Sequence, residues 1–430
     1  MKEHSKILYE DLNKLLLYRG ITKDKIVKLT MLLMKEKNDA EAFKGDNNWG
    51  YELLSELFFS SEKRKIKGNA WKGYILDLVI SDENPFSLMC ERKKGYSSNN
   101  SIYKAAVHDF GVIKRLYKLD IYDLTSISED IDIYIEGSEE NEITCEQRGI
   151  LEYSLEQEDD LNKLTSKFAA YYGQFGCGIF SKYSAFRFEK GTGLTGIENL
   201  EGIIFDDLIG VEIQKKALVN NTEAFLSDSP SNNVLLYGDR GTGKSSSVKA
   251  LLNTYKKQGL RIIEITRHNI ECFYEVLDKI KGRGLHFIIF LDDLSFEEFE
   301  TDYKYLKSVI EGGIEGRPSN VLIYATSNRR HIIKESWRDR GNSIDDINTG
   351  ESLQEKLSLV DRFGETIIYT SPNKKEYINI VEELAIKSGL DIPKDELINE
   401  ALKWEMWHNG RSGRTAQHFI NYLMSLRRQI

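Results

Sequence analysis

The chain has 430 residues, too many for one ordinary core, so two or three domains are expected. Its 40% hydrophobic and 30% charged content fits a folded globular protein and excludes a disordered one. The formal charge of −9 argues against a general nucleic-acid coat, whose affinity depends on Lys and Arg facing phosphates. The four cysteines, Cys90, Cys145, Cys177 and Cys272, are scattered without a CxxC pair. Neither a zinc site nor a disulfide framework is expected from them, and the pattern suits a reducing cytoplasm. No apolar run approaches the ~20 residues that span a bilayer, and the opening "MKEHSKILYEDLNK" lacks the apolar centre of a signal peptide.

From residue 1 to about 195 the pattern is mostly helical. "KILYEDLNKLLLYRG" and "DKIVKLTMLLMKEK" place apolar residues three and four apart, and Gly20 reads as the first helix stop. An acidic stretch over 128–142 reads as a solvated loop, after which helical signal resumes through "LEQEDDLNKLTSKFAAYYGQF". The expected partition is an α-rich N-terminal domain, 1–195, that recruits a partner, an α/β core over 196–371 and a helical segment over 372–430. In the core, "NVLLYG", "LRIIEIT", "HFIIFLDD", "NVLIYATSN" and "ETIIYT" alternate with helical patterns. That rhythm predicts a parallel sheet covered by helices on both faces. "GTGLTG", Gly191 to Gly196, satisfies a dinucleotide-binding spacing but opens no clear helix, and it reads as a flexible linker.

"GDRGTGKS", Gly238 to Ser245, matches the phosphate-loop pattern in full, between the strand "VLLY" and the helix "KSSSVKALLNTYKK". The backbone amides of Gly238, Asp239, Arg240, Gly241, Thr242, Gly243, Lys244, Ser245 and Ser246 are expected to converge on phosphate oxygens at a helix N-terminus. Lys244 would bridge the β- and γ-phosphates of ATP, and Ser245 would ligate Mg2+. Downstream, "FIIFLDDLSFEEFE" ends a strand in two aspartates. Asp292 is the second Mg2+ residue and Asp293 the base that positions water. Asp293 is one methylene shorter than the glutamate usual in ring-forming ATPases, about 1.5 Å less reach, and slow hydrolysis is the expected result. "SFEE" reads as a capping box, with Ser295 at the N-cap and Glu298 returning to it, so Glu297 and Glu298 have structural tasks.

With the loop, the acidic pair and a strand ending "IYATSNRRH", the chain resembles AAA+ ATPases. More closely, it is similar to the bacterial branch called domain of unknown function 815, over about residues 200–430. The motifs that carry this are "FDDLIGVEIQKKAL", "LLYGDRGTGKSSSVKALL", "FLDDLSFEEFE", "YKYLKSVIEGGIEGRPSNVLIYATSNRRHI", "EKLSLVDRFGETI" and "SGRTAQHF". The resemblance implies a P-loop AAA+ core, a parallel sheet with helices on both faces, with a C-terminal helical lid and a separate α-rich N-terminal domain. It implies that Leu208, Ile209 and Gly210 pack around adenine. Asn328 would be sensor 1, and Arg414 sensor 2, with Arg411 as the alternative. Arg362 would be an arginine finger acting on a neighbouring subunit, Arg329 and Arg330 being competing candidates or a solvated cluster, and Asp361 its possible ion-pair partner.

Three functions follow as expectations. One is a cytoplasmic Mg-ATP hydrolase, a homo-oligomeric ring with a hexamer as one candidate size, that remodels a protein partner. The second is a slow or non-hydrolysing nucleotide-dependent switch. The third is a DNA-associated loader, carried by Arg329, Arg330, His331, Lys334, Arg338 and Arg340.

Overall fold

The computed structural model describes residues 2–38, 48–93, 100–125, 127, 131–135, 145–294, 317–328, 362–408 and 410–427. The chain divides into two compact units. One holds residues 1–183 with 257–259 and 283–285, the other 184–256, 260–282 and 286–430.

The first unit is helical, with one two-residue ribbon in which β1 (Gly68–Asn69) pairs antiparallel with β2 (Tyr134–Ile135). Caps set the helix starts. Asp24 Oδ1 accepts the amides of Ile26 and Val27 ahead of Lys25–Asn38, and Asp160 does the same for Leu161–Phe175. That second cap splits the helical signal of the region into Cys145–Gln157 and Leu161–Phe175.

The first helix also ends before its expected glycine stop. It spans Lys2–Leu12, and Gly20 lies in a 3-10 turn, Arg19–Lys23. The cause is non-local. Buried Asp109 takes the amides of Leu16, Leu17 and Tyr18 at 3.0, 2.7 and 3.0 Å, so they turn to a carboxylate and leave the helical ladder.

Aromatic rings fill the centre of this unit. Phe110 and Phe168 lie 4.5 Å apart by ring centroid, and Phe86 meets Tyr103, Phe110 and Tyr172 edge-on. A buried ion pair sits in the same unit. Arg283 Nε and Nη2 donate to the two carboxylate oxygens of Glu91, each at 2.7 Å. The amides of Cys177 and Gly284 donate to the same two oxygens at 3.0 and 3.1 Å. The Cys177 thiol adds a further donor to Oε2 at 3.3 Å, so both oxygens of this fully buried carboxylate are hydrogen-bonded.

The second unit is built on a seven-stranded sheet of order β4-β3-β6-β7-β8-β5-β9. Its strands are β3 (Ala185–Glu189), β4 (Gly193–Gly196), β5 (Val234–Gly238), β6 (Leu260–Glu264), β7 (His286–Leu294), β8 (Val321–Asn328) and β9 (Glu365–Tyr369). All neighbours run parallel except the β3–β4 pair. One face of alternate residues, including Val234, Leu236, Ile288, Phe290, Leu322, Tyr324 and Ile367, packs with Leu218, Phe225, Val248 and Leu251 from helices Glu212–Leu226 and Lys244–Tyr255. The intervening residues Leu235, Ile289, Leu291 and Ile323 are buried as well. Both faces are covered, as the near-continuous apolar runs require.

The linker expected at Gly191 to Gly196 is corrected by the sheet. These residues form the turn and second strand of an edge hairpin, with Arg187 paired to Thr195 and Glu189 to Gly193. Gly191 and Gly193 have φ of +96° and +79°, so the glycines serve a tight reversal.

The C-terminal helices Lys374–Lys387, Lys394–Trp407 and Gly413–Arg427 bury Tyr377, Leu384, Leu397, Phe419 and Ile420 in a cluster of their own. This is the expected α/β arrangement: a mostly parallel sheet with covered faces, a C-terminal helical cluster after it and an α-rich part before it in the chain. Among the described residues no helix is long and apolar enough to cross a membrane.

Removing one partner of a buried ion pair costs about 3–5 kcal/mol, and Glu83, whose Oε1 accepts from Arg283 Nη1 at 2.7 Å, keeps part of the Arg283 charge paired. Glu91→Gln is expected to lower the unfolding free energy in urea by about 3 kcal/mol. A change under about 1 kcal/mol, the range of surface pairs, would show that the pair holds nothing.

Candidate active site

β5 lies between β8 and β9, and its last residue, Gly238, is level with Asn328 on one side and Tyr369 on the other. Gly238 has φ of +149°, and a Cβ there would sit 1.7 Å from the carbonyl oxygen of Tyr369. Only glycine fits. The chain then turns across β9, with the Asp239 amide donating to Tyr369 O at 3.1 Å. The Asp239 carboxylate accepts the amide and hydroxyl of Ser371 at 3.0 and 2.9 Å. Thr242 Oγ1 closes the turn on Asp239 O at 2.8 Å. Gly241 and Gly243 take φ of +74° and +98°, and the helix Lys244–Tyr255 starts at once. Left-handed glycines before a helix N-terminus make a concavity of amides suited to an anion. Arg240 is exposed beside it, and Ser246 is half-buried in the first helical turn.

Lys244 is 7% exposed. Its Nζ donates to Gly238 O at 2.9 Å, Asp239 O at 2.7 Å and Asn328 Oδ1 at 3.1 Å. Burial brings its pKa down to about 8, and the carboxylates of Asp239, Asp293 and Asp292 pull the other way. Ser245 Oγ donates to Asp292 Oδ1 at 2.6 Å.

The two aspartates occupy an irregularity in β7, where the register against β8 slips between Leu291 and Leu294. A bulge re-aims the side chain it carries. Asp293 has φ of +53°. Among residues with a Cβ, Asp is one of the few that enter this left-handed region readily, which gives a backbone reason for aspartate where glutamate is usual. Asp293 Oδ1 accepts a short hydrogen bond from Asn328 Nδ2. Lys244, Asn328 and Asp293 thus form one chain of hydrogen bonds across the ends of three elements.

Thr326 was not singled out from the sequence. Its Oγ1 donates to Asp292 Oδ1 at 2.6 Å and accepts the Asp293 amide at 2.8 Å. The signal was its spacing, two residues before Asn328 in a strand and so on the same side of the sheet.

The lid meets the loop. The Arg414 amide donates to Gly241 O at 3.2 Å, and a Cβ on Gly241 would lie 2.9 Å from Ser412 Oγ. The Arg414 side chain is exposed there, and the Arg411 side chain is held by Glu405 Oε1 at 2.6 Å. Leu208 lies 4.0 Å from where a Gly243 Cβ would be, and Ile209 packs on the lid cluster. Gly210, with φ of +80°, comes within 3.5 Å of Ile380 by the same measure.

Arg362 is not with them. It precedes β9, whose first residue pairs with Val234 and whose last, Tyr369, is level with Gly238. At ~3.3 Å per residue the length of β9 puts about 13 Å between its first residue, Glu365, and the end that is level with Gly238, and Arg362 lies in the turn before that first residue. Ser295, Glu297, Glu298, Arg329, Arg330 and Asp361 lie outside the described residues.

Among the described residues no group of three His, Cys, Asp or Glu side chains could hold a metal. The Ser245–Asp292 pair fits Mg2+, which keeps most of its ligands as water and phosphate and needs few from protein.

Residues 181–427 match the family described as "Protein of unknown function (DUF815)", more than half of the chain. The chain belongs to this family. No curated protein matches it. Among solved structures it is similar to a single-substitution RuvB mutant of Thermotoga maritima, at 18% identity and a TM-score of 0.36, covering 51% of this chain and 64% of that one. This chain therefore spans just under two thirds of that RuvB chain. The T. maritima RuvB Holliday junction branch migration motor gives 15%, 0.32, 51% and 72%. The FIGL-1 AAA domain in complex with ADP gives 19%, 0.37, 54% and 76%.

Gly238→Ala sets a methyl against the Tyr369 carbonyl, an overpacking that costs about 3 kcal/mol. The melting temperature is expected to fall by roughly 6–12 °C. An unchanged melting temperature would mean that β5 and β9 are not in this register.

Proposed function

We propose that this chain is an AAA+ ATPase that binds Mg-ATP at Gly238–Ser246 and hydrolyses it in a homo-oligomeric ring, while its N-terminal helical unit engages a protein to be remodelled. One observation carries the reading: Lys244, Ser245, Asp292, Asp293 and Asn328, from three separate stretches of chain, are joined through Thr326 into a single hydrogen-bonded cluster beside the amide-lined loop.

In this reading Lys244 and the loop amides bind the phosphates, and Leu208 to Gly210 line the base. Ser245 and Asp292 would hold Mg2+, which when bound offsets charge on the phosphate oxygens. Asn328 orients a water. Asp293 takes its proton as the water oxygen bonds to the γ-phosphorus, the bond to the bridging oxygen breaks and ADP leaves. Arg414 approaches the loop from the lid. The distance of Arg362 from its own loop supports a role in a neighbour's site, where a guanidinium steadies charge on the γ-phosphate. The loader reading rests on Arg329, Arg330, His331, Lys334, Arg338 and Arg340, all outside the described residues. The switch reading has one observation in its favour, the bond that engages Asp293 with Asn328.

Asp293→Asn keeps a side chain that tolerates positive φ and removes only the base. Phosphate release is expected to fall about 100-fold or more. Arg362→Ala should be as slow, and mixing the two variants should restore turnover, because one interface then holds both native residues. Equal and negligible rates for wild type and Asp293→Asn would favour the switch, and mixtures that stay inactive would remove Arg362 from the site.

Lys244 gives a pH signature. Free, it keeps its proton only below about pH 8; beside phosphates its pKa must rise. Between those two values binding takes up a proton, so ADP affinity should decline as pH climbs through about 8. Calorimetry above about pH 8 in buffers of different ionisation enthalpy should register uptake approaching one proton, absent in Lys244→Met. Proton release in that window would contradict the assignment.

A further inference from the structure

We propose that Thr326 is a positioning residue for the magnesium-facing carboxylate and for the base beside it. The proposal rests on the nucleotide reading above and goes to a residue that the phosphate-loop, acidic-pair and sensor motifs do not include.

The direction of each hydrogen bond is set by chemistry. The Asp293 amide can only donate, and an ionised Asp292 can only accept. A group joining them must offer one proton and one lone pair at the same atom. A hydroxyl does this, and Thr326 Oγ1 does so at 2.6 and 2.8 Å while 2% exposed. Its hydroxyl has no rotational choice left.

Two consequences follow for the site. Both Thr326 and Ser245 donate to Asp292 Oδ1, which restrains the carboxylate and leaves Oδ2 outside these two bonds. The second donor matters because Ser245 is itself a magnesium residue in this reading, and its geometry answers to the ion; Thr326 is the donor that does not move with it. At Asp293, the same oxygen holds the amide of a residue at φ +53°. A positive φ at a non-glycine residue persists only where its surroundings over-determine it, and this bond crosses from β7 to β8 at the bulge. Thr326 therefore sets both acids with a single atom. Hydrogen-bond partners of metal ligands typically change metal affinity or activity about 10–100-fold when removed.

The test uses the full chain as wild type, Thr326→Val and Thr326→Ser. ADP affinity is measured by calorimetry in EDTA and across a Mg2+ titration, and phosphate release is measured with ATP. Thr326→Val should bind ADP in EDTA like wild type, need about 10-fold more Mg2+ to reach the high-affinity complex, and lose about 10–100-fold in kcat. Thr326→Ser, which keeps the hydroxyl, should recover both to within about threefold. Wild-type Mg2+ dependence in Thr326→Val would overturn the proposal, even with a lowered melting temperature, because a merely structural role moves stability alone. So would a Thr326→Ser chain as impaired as Thr326→Val. Should the valine variant not fold, Thr326→Ala is measured in its place, with the same results expected and the same results overturning the proposal. A wild type that binds no ADP in either condition marks the failure of the nucleotide reading itself, distinct from a wild type that binds while Thr326→Val matches it.

Discussion

Gly238 has no side chain, and the rest of the site depends on that. Its position level with Asn328 and Tyr369 brings β5, β8 and β9 to a common edge, and the Tyr369 carbonyl occupies the space where any Cβ would be. The chain can leave β5 only at this point and in this direction. From there the turn through Gly243 delivers Lys244 against Asn328 and Ser245 against Asp292. The register of a parallel sheet, set by packing on both faces, is thus converted into the placement of a cation, a hydroxyl and an amide to within hydrogen-bonding distance.

The acids are placed by an interruption of the same sheet. A regular β7 would send Asp292 and Asp293 to opposite faces. The slip against β8 and the positive φ at Asp293 remove that alternation, so that Asp292 meets Ser245 while Asp293 meets Asn328. The shorter acid suits this backbone: the reach given up by one methylene accompanies a conformation that aspartate enters more readily than glutamate. Lys244 pairs with carbonyl oxygens and Asn328 in this arrangement, and burial lowers its pKa, a desolvation cost that phosphate charge would offset.

What could be read from the sequence was local. Five strands of the core announce themselves as apolar runs, and the phosphate loop announces itself through glycine spacing that only one backbone path explains. What escaped was made by partners distant in the chain. Asp109 takes the amides of Leu16, Leu17 and Tyr18, some ninety residues earlier, just where the first helix would have continued. The β3–β4 hairpin looked like a linker because "GTGLTG" is turn-rich, and its pairing to β6 involves residues more than seventy positions away. Thr326 sits inside a run that reads simply as strand, and its hydroxyl acquires meaning only once β7 lies alongside. The remoteness of Arg362 from the loop likewise follows from strand direction, which no motif encodes.

The central claim is that the Gly238–Ser246 loop and Lys244 hold nucleotide phosphates. Calorimetric titration of the purified full chain with ADP and Mg2+, beside Lys244→Ala, tests it most directly. Saturable one-to-one binding is expected for the wild type. The loss of a charge-assisted contact should weaken it at least ~10-fold in the variant. Absence of binding by the wild type, or equal affinity in both chains, would contradict the account.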